Sequence, residues 1–217
     1  MPIRLSRNAE LISFPSSDGF RLEGRLTRGS ADRAVVLCHP HPLYGGSMLT
    51  PVIMTVEQAF QEAGYTTLAF NFRGVGVSEG THGEGRAEVA DVTGALAYLT
   101  EVFGGRPIRC AVAGYSFGSY VGAMAAAVEA RVGFYLGVAP PLAHYDFGFL
   151  RHAICRMALI GATQDEFCPR ALFEALYFSL PATPWTRLLD ADHSFADALD
   201  ALAQACRDAI AWVRAPV

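Results

Sequence analysis

A serine flanked by glycines, Gly114-Tyr115-Ser116-Phe117-Gly118, lies where an apolar run (IRCAVAG) gives way to a small-residue helical stretch (FGSYVGAMAAAVEA). A sharp strand-to-helix turn of this kind exposes a serine hydroxyl and requires small neighbours. The plainer reading is a helix-start serine beside packing glycines, but the strand-then-helix context favours a nucleophile. A hydroxyl attacks poorly until a base takes its proton. Among the downstream histidines His144, His152 and His193, only His193, in LDADHSF, follows the last strand-like run. The third group is a carboxylate that accepts the imidazole Nδ1–H and fixes its tautomer. Asp165 and Glu166 both stand just past the strand ending near Gly161, with Asp146 a lesser alternative; Asp192, adjacent to His193, reads as a turn former.

The stretch HPHPLYGG alternates His39 and His41 with Pro40 and Pro42. A metal site needs a third ligand, and His82, His144 and His152 form no zinc spacing, so neither a metal nor any cofactor is expected. Proline has no N–H, which leaves His41 as the one main-chain donor between the two prolines. Acyl transfer develops an oxyanion that needs two backbone donors. Phe117, after the nucleophile, and His41 are the expected pair, with Gly45 and Gly46 letting the backbone bend around them and His39 holding the loop in place. NFRGVGVSEG lacks the spacing of a dinucleotide loop and the lysine of a phosphate loop. It reads as a tight turn whose Arg73 braces the His–Pro loop.

Strand-like and helical stretches alternate around these residues. AELISF and FRLEGRL flank the turn-rich PSSDG as a hairpin, supplying antiparallel strands at one edge. RAVVLC, YTTLAFNF, IRCAVAG, VGFYLGV, RMALIGA and TPWTRLLDA then alternate with helical stretches, the last being FADALDALAQACRDAIAWVRA. Short apolar strands separated by helices predict a mostly parallel sheet covered on both faces, in an α/β fold built as one domain over residues 1–217.

Composition narrows the function classes. The 217 residues are 52% apolar and 18% charged with a net charge of −4, and basic residues do not cluster along the chain. Nucleic acid and anionic membranes are therefore poor partners. No apolar run is long enough to span a membrane, and MPIRLSRNAE has no secretory core. Five scattered cysteines without a CxxC pair read as reduced core thiols. A cytoplasmic enzyme is expected.

With HPHPLYGGSM, FNFRGVGVSEG, GYSFGSYVG, VAPP, DEFCP and DADHSF in this order, the chain resembles the α/β-hydrolase superfamily. Within it, the chain looks like a small, lidless bacterial group related to dienelactone hydrolases. The resemblance implies an eight-stranded sheet, Ser116 as nucleophile, Asp165 rather than Glu166 as the acid, His193 as base, and His41 and Phe117 as oxyanion donors. Two residues depart from the group: dienelactone hydrolases proper carry a cysteine where Ser116 stands, and Ser194 replaces a bulky aromatic. Where larger relatives insert a lid, this chain has only APPLAHYDFGFLRHAIC. An open, shallow site is expected, with Tyr44, Tyr115, Phe117, Pro141 and Tyr145 as apolar walls. The implied activity is hydrolysis of small to medium carboxylic esters through an acyl-enzyme. A thioesterase on acyl carriers, a lyase or cyclase reusing the same groups, and a non-catalytic binding protein are the alternatives; a homodimer is left open.

Overall fold

The computed structural model describes residues 8–106 and 108–215. Strands β1 (Ala9–Pro15) and β2 (Arg21–Thr27) form the expected hairpin, followed by β3 (Ala34–Cys38), α1 (Pro51–Glu62), β4 (Thr66–Phe70) and α2 (Glu88–Val102). Next come β5 (Cys110–Tyr115), α3 (Phe117–Val128), β6 (Val132–Val138), β7 (Arg156–Ala162), α4 (Arg170–Ser179), β8 (Trp185–Leu189) and α5 (Leu199–Arg214). The eight strands lie in one sheet in the order β1-β2-β4-β3-β5-β6-β7-β8. β2 is antiparallel to both β1 and β4, and the remaining neighbours run parallel.

Alternation along the strands feeds two cores. In β3, Val36 faces one side with side chains of α2, α3 and α4, while Val35 and Leu37 face the other with α1 and α5. All five residues of β3 are buried, as a central strand covered on both faces demands. Between β6 and β7 the chain makes only a short 3-10 turn over Gly148–His152, so among the described residues no lid covers the sheet's C-terminal edge.

Helix α5 starts at Leu199, later than the periodicity of FADALD suggests. Phe195 takes a positive φ of 53°, which a helix cannot use, and its ring is fully buried beside α5. Burial of that side chain decides the backbone there.

Arg73 also departs from expectation. Its guanidinium and main-chain N–H all bond the Asp91 carboxylate of α2 at 2.7–3.2 Å, and Nη2 reaches Asp18 in the β1–β2 turn at 2.8 Å. The arginine therefore ties the β1–β2 turn to α2 and does not bond the His–Pro loop. Asp91 is fully buried, so a bidentate cation is the partner its charge requires. It is Phe72, one residue earlier, whose N–H reaches that loop.

Candidate active site

Ser116 stands at the junction of β5 and α3 with φ 53° and ψ −125°, a conformation that costs a non-glycine residue about 1–3 kcal/mol. Neighbouring bonds hold it there. Its N–H donates to the Val138 carbonyl at 2.9 Å, and its own carbonyl accepts from the Ser119 N–H at 2.8 Å and the Ser119 hydroxyl at 2.6 Å. Gly118 has a steric reason: a Cβ there would overlap the carbonyl oxygens of Cys38 and His39. The helix thus starts directly against the end of β3, and the His–Pro loop is brought beside the serine.

His193 Nε2 lies 2.9 Å from Ser116 Oγ, and its Nδ1 lies 2.8 Å from Asp165 Oδ2. The Asp165 side chain is fully buried, and its other oxygen accepts the N–H groups of Phe167 at 2.9 Å and Cys168 at 3.0 Å. Three hydrogen bonds therefore fix the carboxylate in place opposite the imidazole. Tyr115 fixes the loop from below: its hydroxyl donates to the His193 carbonyl at 2.8 Å. Burial raises the Tyr115 pKa, so the phenol stays a donor. The Phe167 ring packs 4.6 Å from the imidazole, centre to centre. Asp192 makes a turn, with Oδ1 accepting from both the N–H and the hydroxyl of Ser194. Asp146 is likewise occupied locally, by the Gly148 N–H.

In the His–Pro loop, His39 is buried with Nε2 accepting the Phe72 N–H at 3.0 Å and Nδ1 donating to the Pro40 carbonyl at 2.6 Å. Burial lowers its pKa to about 4, so the ring is a neutral strut, as the sequence suggests. His41 caps the short 3-10 turn over Pro42–Tyr44, its Nδ1 accepting the Leu43 N–H at 3.2 Å. Burial, then the neighbouring His82, lowers the His41 pKa, with Glu88 pulling the other way. The two rings of the loop are thus committed to separate hydrogen bonds. Gly46 folds tightly against Pro40, where a Cβ would overlap the Pro40 carbonyl oxygen. Among the described residues, the His41 and Phe117 N–H groups have no protein acceptor. For Phe117 this follows from its place at the first position of α3.

Ser116, His193, His41 and Phe117 line one open cavity of about 790 Å³, together with Tyr44, Tyr115, Pro141 and Tyr145. The walls expected from the sequence therefore meet, although Tyr115 is mainly a strut and Tyr44 is 87% exposed at the rim. Sequence reasoning missed Thr50, His144 and Phe167 as lining residues. For Phe167 the available signal was its place two residues after Asp165. Glu166 does not line the cavity.

Residues 35–217 match the alpha/beta hydrolase family. The chain belongs to that family. It superposes with a TM-score of 0.86 on a protein of unknown function from Agrobacterium tumefaciens, 30% identical, over 93% of this chain and 95% of that one. A lidless alpha/beta serine hydrolase from Xanthomonas campestris gives 0.85 at 25% identity, over 98% of this chain and 99% of the other. An uncharacterised protein of Rickettsia prowazekii is 33% identical over 144 residues, which make up 64% of this chain and 60% of that relative. The matched stretch spans 44% to 60% of the lengths of its curated relatives. No described helix of the chain is long and apolar enough to cross a membrane.

Proposed function

We propose that the protein is a serine esterase acting on small to medium carboxylic esters through an acyl-enzyme. The observation that carries this reading is the hydrogen-bonded series Asp165–His193–Ser116, at 2.8 and 2.9 Å, opening into an uncovered cavity.

In the proposed mechanism Ser116 Oγ bonds to the ester carbonyl carbon while its proton moves to His193 Nε2. Asp165 holds the Nδ1–H of the resulting imidazolium. The carbonyl oxygen becomes an oxyanion, which accepts from the Phe117 and His41 N–H groups. Collapse breaks the carbon–oxygen bond to the alcohol, and the leaving alkoxide takes the proton from Nε2. A water molecule then repeats the sequence on the acyl-enzyme, giving the acid and free serine. Phe167 and Tyr115 position the imidazole, and Tyr44, Pro141 and Tyr145 offer apolar surface to the acyl or alcohol part.

Turnover of a p-nitrophenyl ester series from acetate to decanoate tests the reading. It predicts hydrolysis of the short and medium chains, a decline toward the longest, and loss of roughly 10⁶ in kcat for Ser116→Ala. Turnover that survives the loss of Ser116 would overturn it.

A further inference from the structure

The opposite end of the sheet holds a second cavity, of about 250 Å³, walled by Arg33, Arg109, Arg156 and Arg214. Arg33 and Arg109 directly precede β3 and β5, Arg156 opens β7, and Arg214 closes α5. Tyr65 and the strand starts complete the wall, and among the described residues no carboxylate side chain lines it. Cys110 at the start of β5 lines this cavity, while Ser116, just past its end, lines the other. Six residues of extended chain, roughly 3.3 Å each, separate the two by about 20 Å.

Tracing the charges shows what the cluster lacks. Arg156 is committed to the end of α5: it bonds the carbonyls of Val213 at 2.9 Å and Trp212 at 3.2 Å, and lies 4.0 Å over the Trp212 ring. Arg214 reaches one carbonyl, of Ala63, at 3.5 Å. Nearby carboxylates are occupied elsewhere: Asp32 by Arg106, Glu129 by Arg131 and Glu62 by Arg207, at 3.3, 2.8 and 3.4 Å. Among the described residues Arg33 and Arg109 have no ion-pair partner. The Arg109 stem lies along Gly133, its Cδ 3.4 Å from where a Cβ would stand. The chain has 21 acidic residues against 17 arginines and no lysine, yet these four cations stand together with no counter-charge among the described residues lining the cavity. Mutual repulsion makes that arrangement unfavourable, and a bound anion relieves it. Guanidinium forks match the paired oxygens of phosphate.

We propose that this cavity binds a small phosphate-type oxyanion, either free or carried by a small metabolite. The site is independent of the hydrolytic reading and survives its failure.

Isothermal titration and thermal unfolding at constant ionic strength, with phosphate, pyrophosphate and adenosine diphosphate as probes and chloride as control, test it. The expected result is saturable binding of pyrophosphate and a Tm rise of roughly 4 °C at ten times Kd. Arg33→Ala/Arg109→Ala should weaken that binding at least roughly tenfold while ester turnover stays at the wild-type level. Equal affinity for pyrophosphate and the nucleotide identifies the phosphates alone as the recognised group; a tighter nucleotide identifies a metabolite-borne one. Absence of saturable binding below about 10 mM for every probe would overturn the proposal, as would unchanged affinity in the double variant.

Discussion

The hydroxyl of Tyr115 donates to the main-chain carbonyl of His193 across 2.8 Å, so the residue before the serine clamps the residue that faces it. The bond joins the end of β5 to the loop after β8, where the Tyr115 ring also packs edge-on against Phe195. Tyr115→Phe keeps the ring and removes the clamp. It should cost about 1 kcal/mol of stability and lower kcat roughly tenfold with KM little changed. Steady-state kinetics beside a thermal melt check this; a change in KM alone would assign Tyr115 to substrate binding.

Asp165 carries two obligations: the imidazole on Oδ2 and two main-chain N–H groups on Oδ1. Asp165→Asn keeps the size but offers an N–H₂ where an acceptor is required, favouring the wrong imidazole tautomer. We expect kcat to fall by roughly 10⁴, a magnitude taken from the serine-protease precedent. Circular dichroism would show the fold retained, and a decrease below tenfold would mean that the aspartate only shapes its turn.

His39 gives the protein a pH-dependent stability. Burial lowers its pKa from the ordinary 6.5 to about 4, so between these values the unfolded chain binds a proton that the native one refuses. This contribution is fully present above pH 6.5 and is lost as the pH falls toward 4, by about 3 kcal/mol at most. Denaturant titrations across that interval should show a shallower slope for His39→Gln than for wild type. Parallel slopes would rule His39 out as the group responsible.

Gly118 has no room for a methyl group, because the carbonyl oxygens of Cys38 and His39 occupy it. Gly118→Ala must push α3 away from β3. A loss of about 3 kcal/mol, or roughly 8 °C in Tm, is expected, with activity falling as Ser116 shifts. An unchanged melt would show that the junction yields without cost.

What could be read from the sequence was what is encoded locally. The strand-to-helix switch around Ser116 and the apolar run before His193 are short-range patterns, and both placed their residues. Spacing alone could not separate Asp165 from Glu166, since both follow β7. The structure separates them by which carboxylate reaches the imidazole while accepting the N–H groups of its own turn. The sequence does not point Arg73 to its partner, because Asp91 lies eighteen positions away, on a helix whose buried face carries a charge. Ion pairs of that kind leave no period to detect. Phe195 misled for the opposite reason: FADALD continues the helical pattern upstream, and only tertiary burial of the ring breaks it.

A serine activated by His193 reacts with a phosphonylating probe without any substrate. Intact-mass analysis with a fluorophosphonate at neutral pH, followed by peptide mapping, should show one stoichiometric adduct on Ser116 that disappears in His193→Ala. No adduct, or an adduct that persists without His193, would mean that His193 does not activate Ser116.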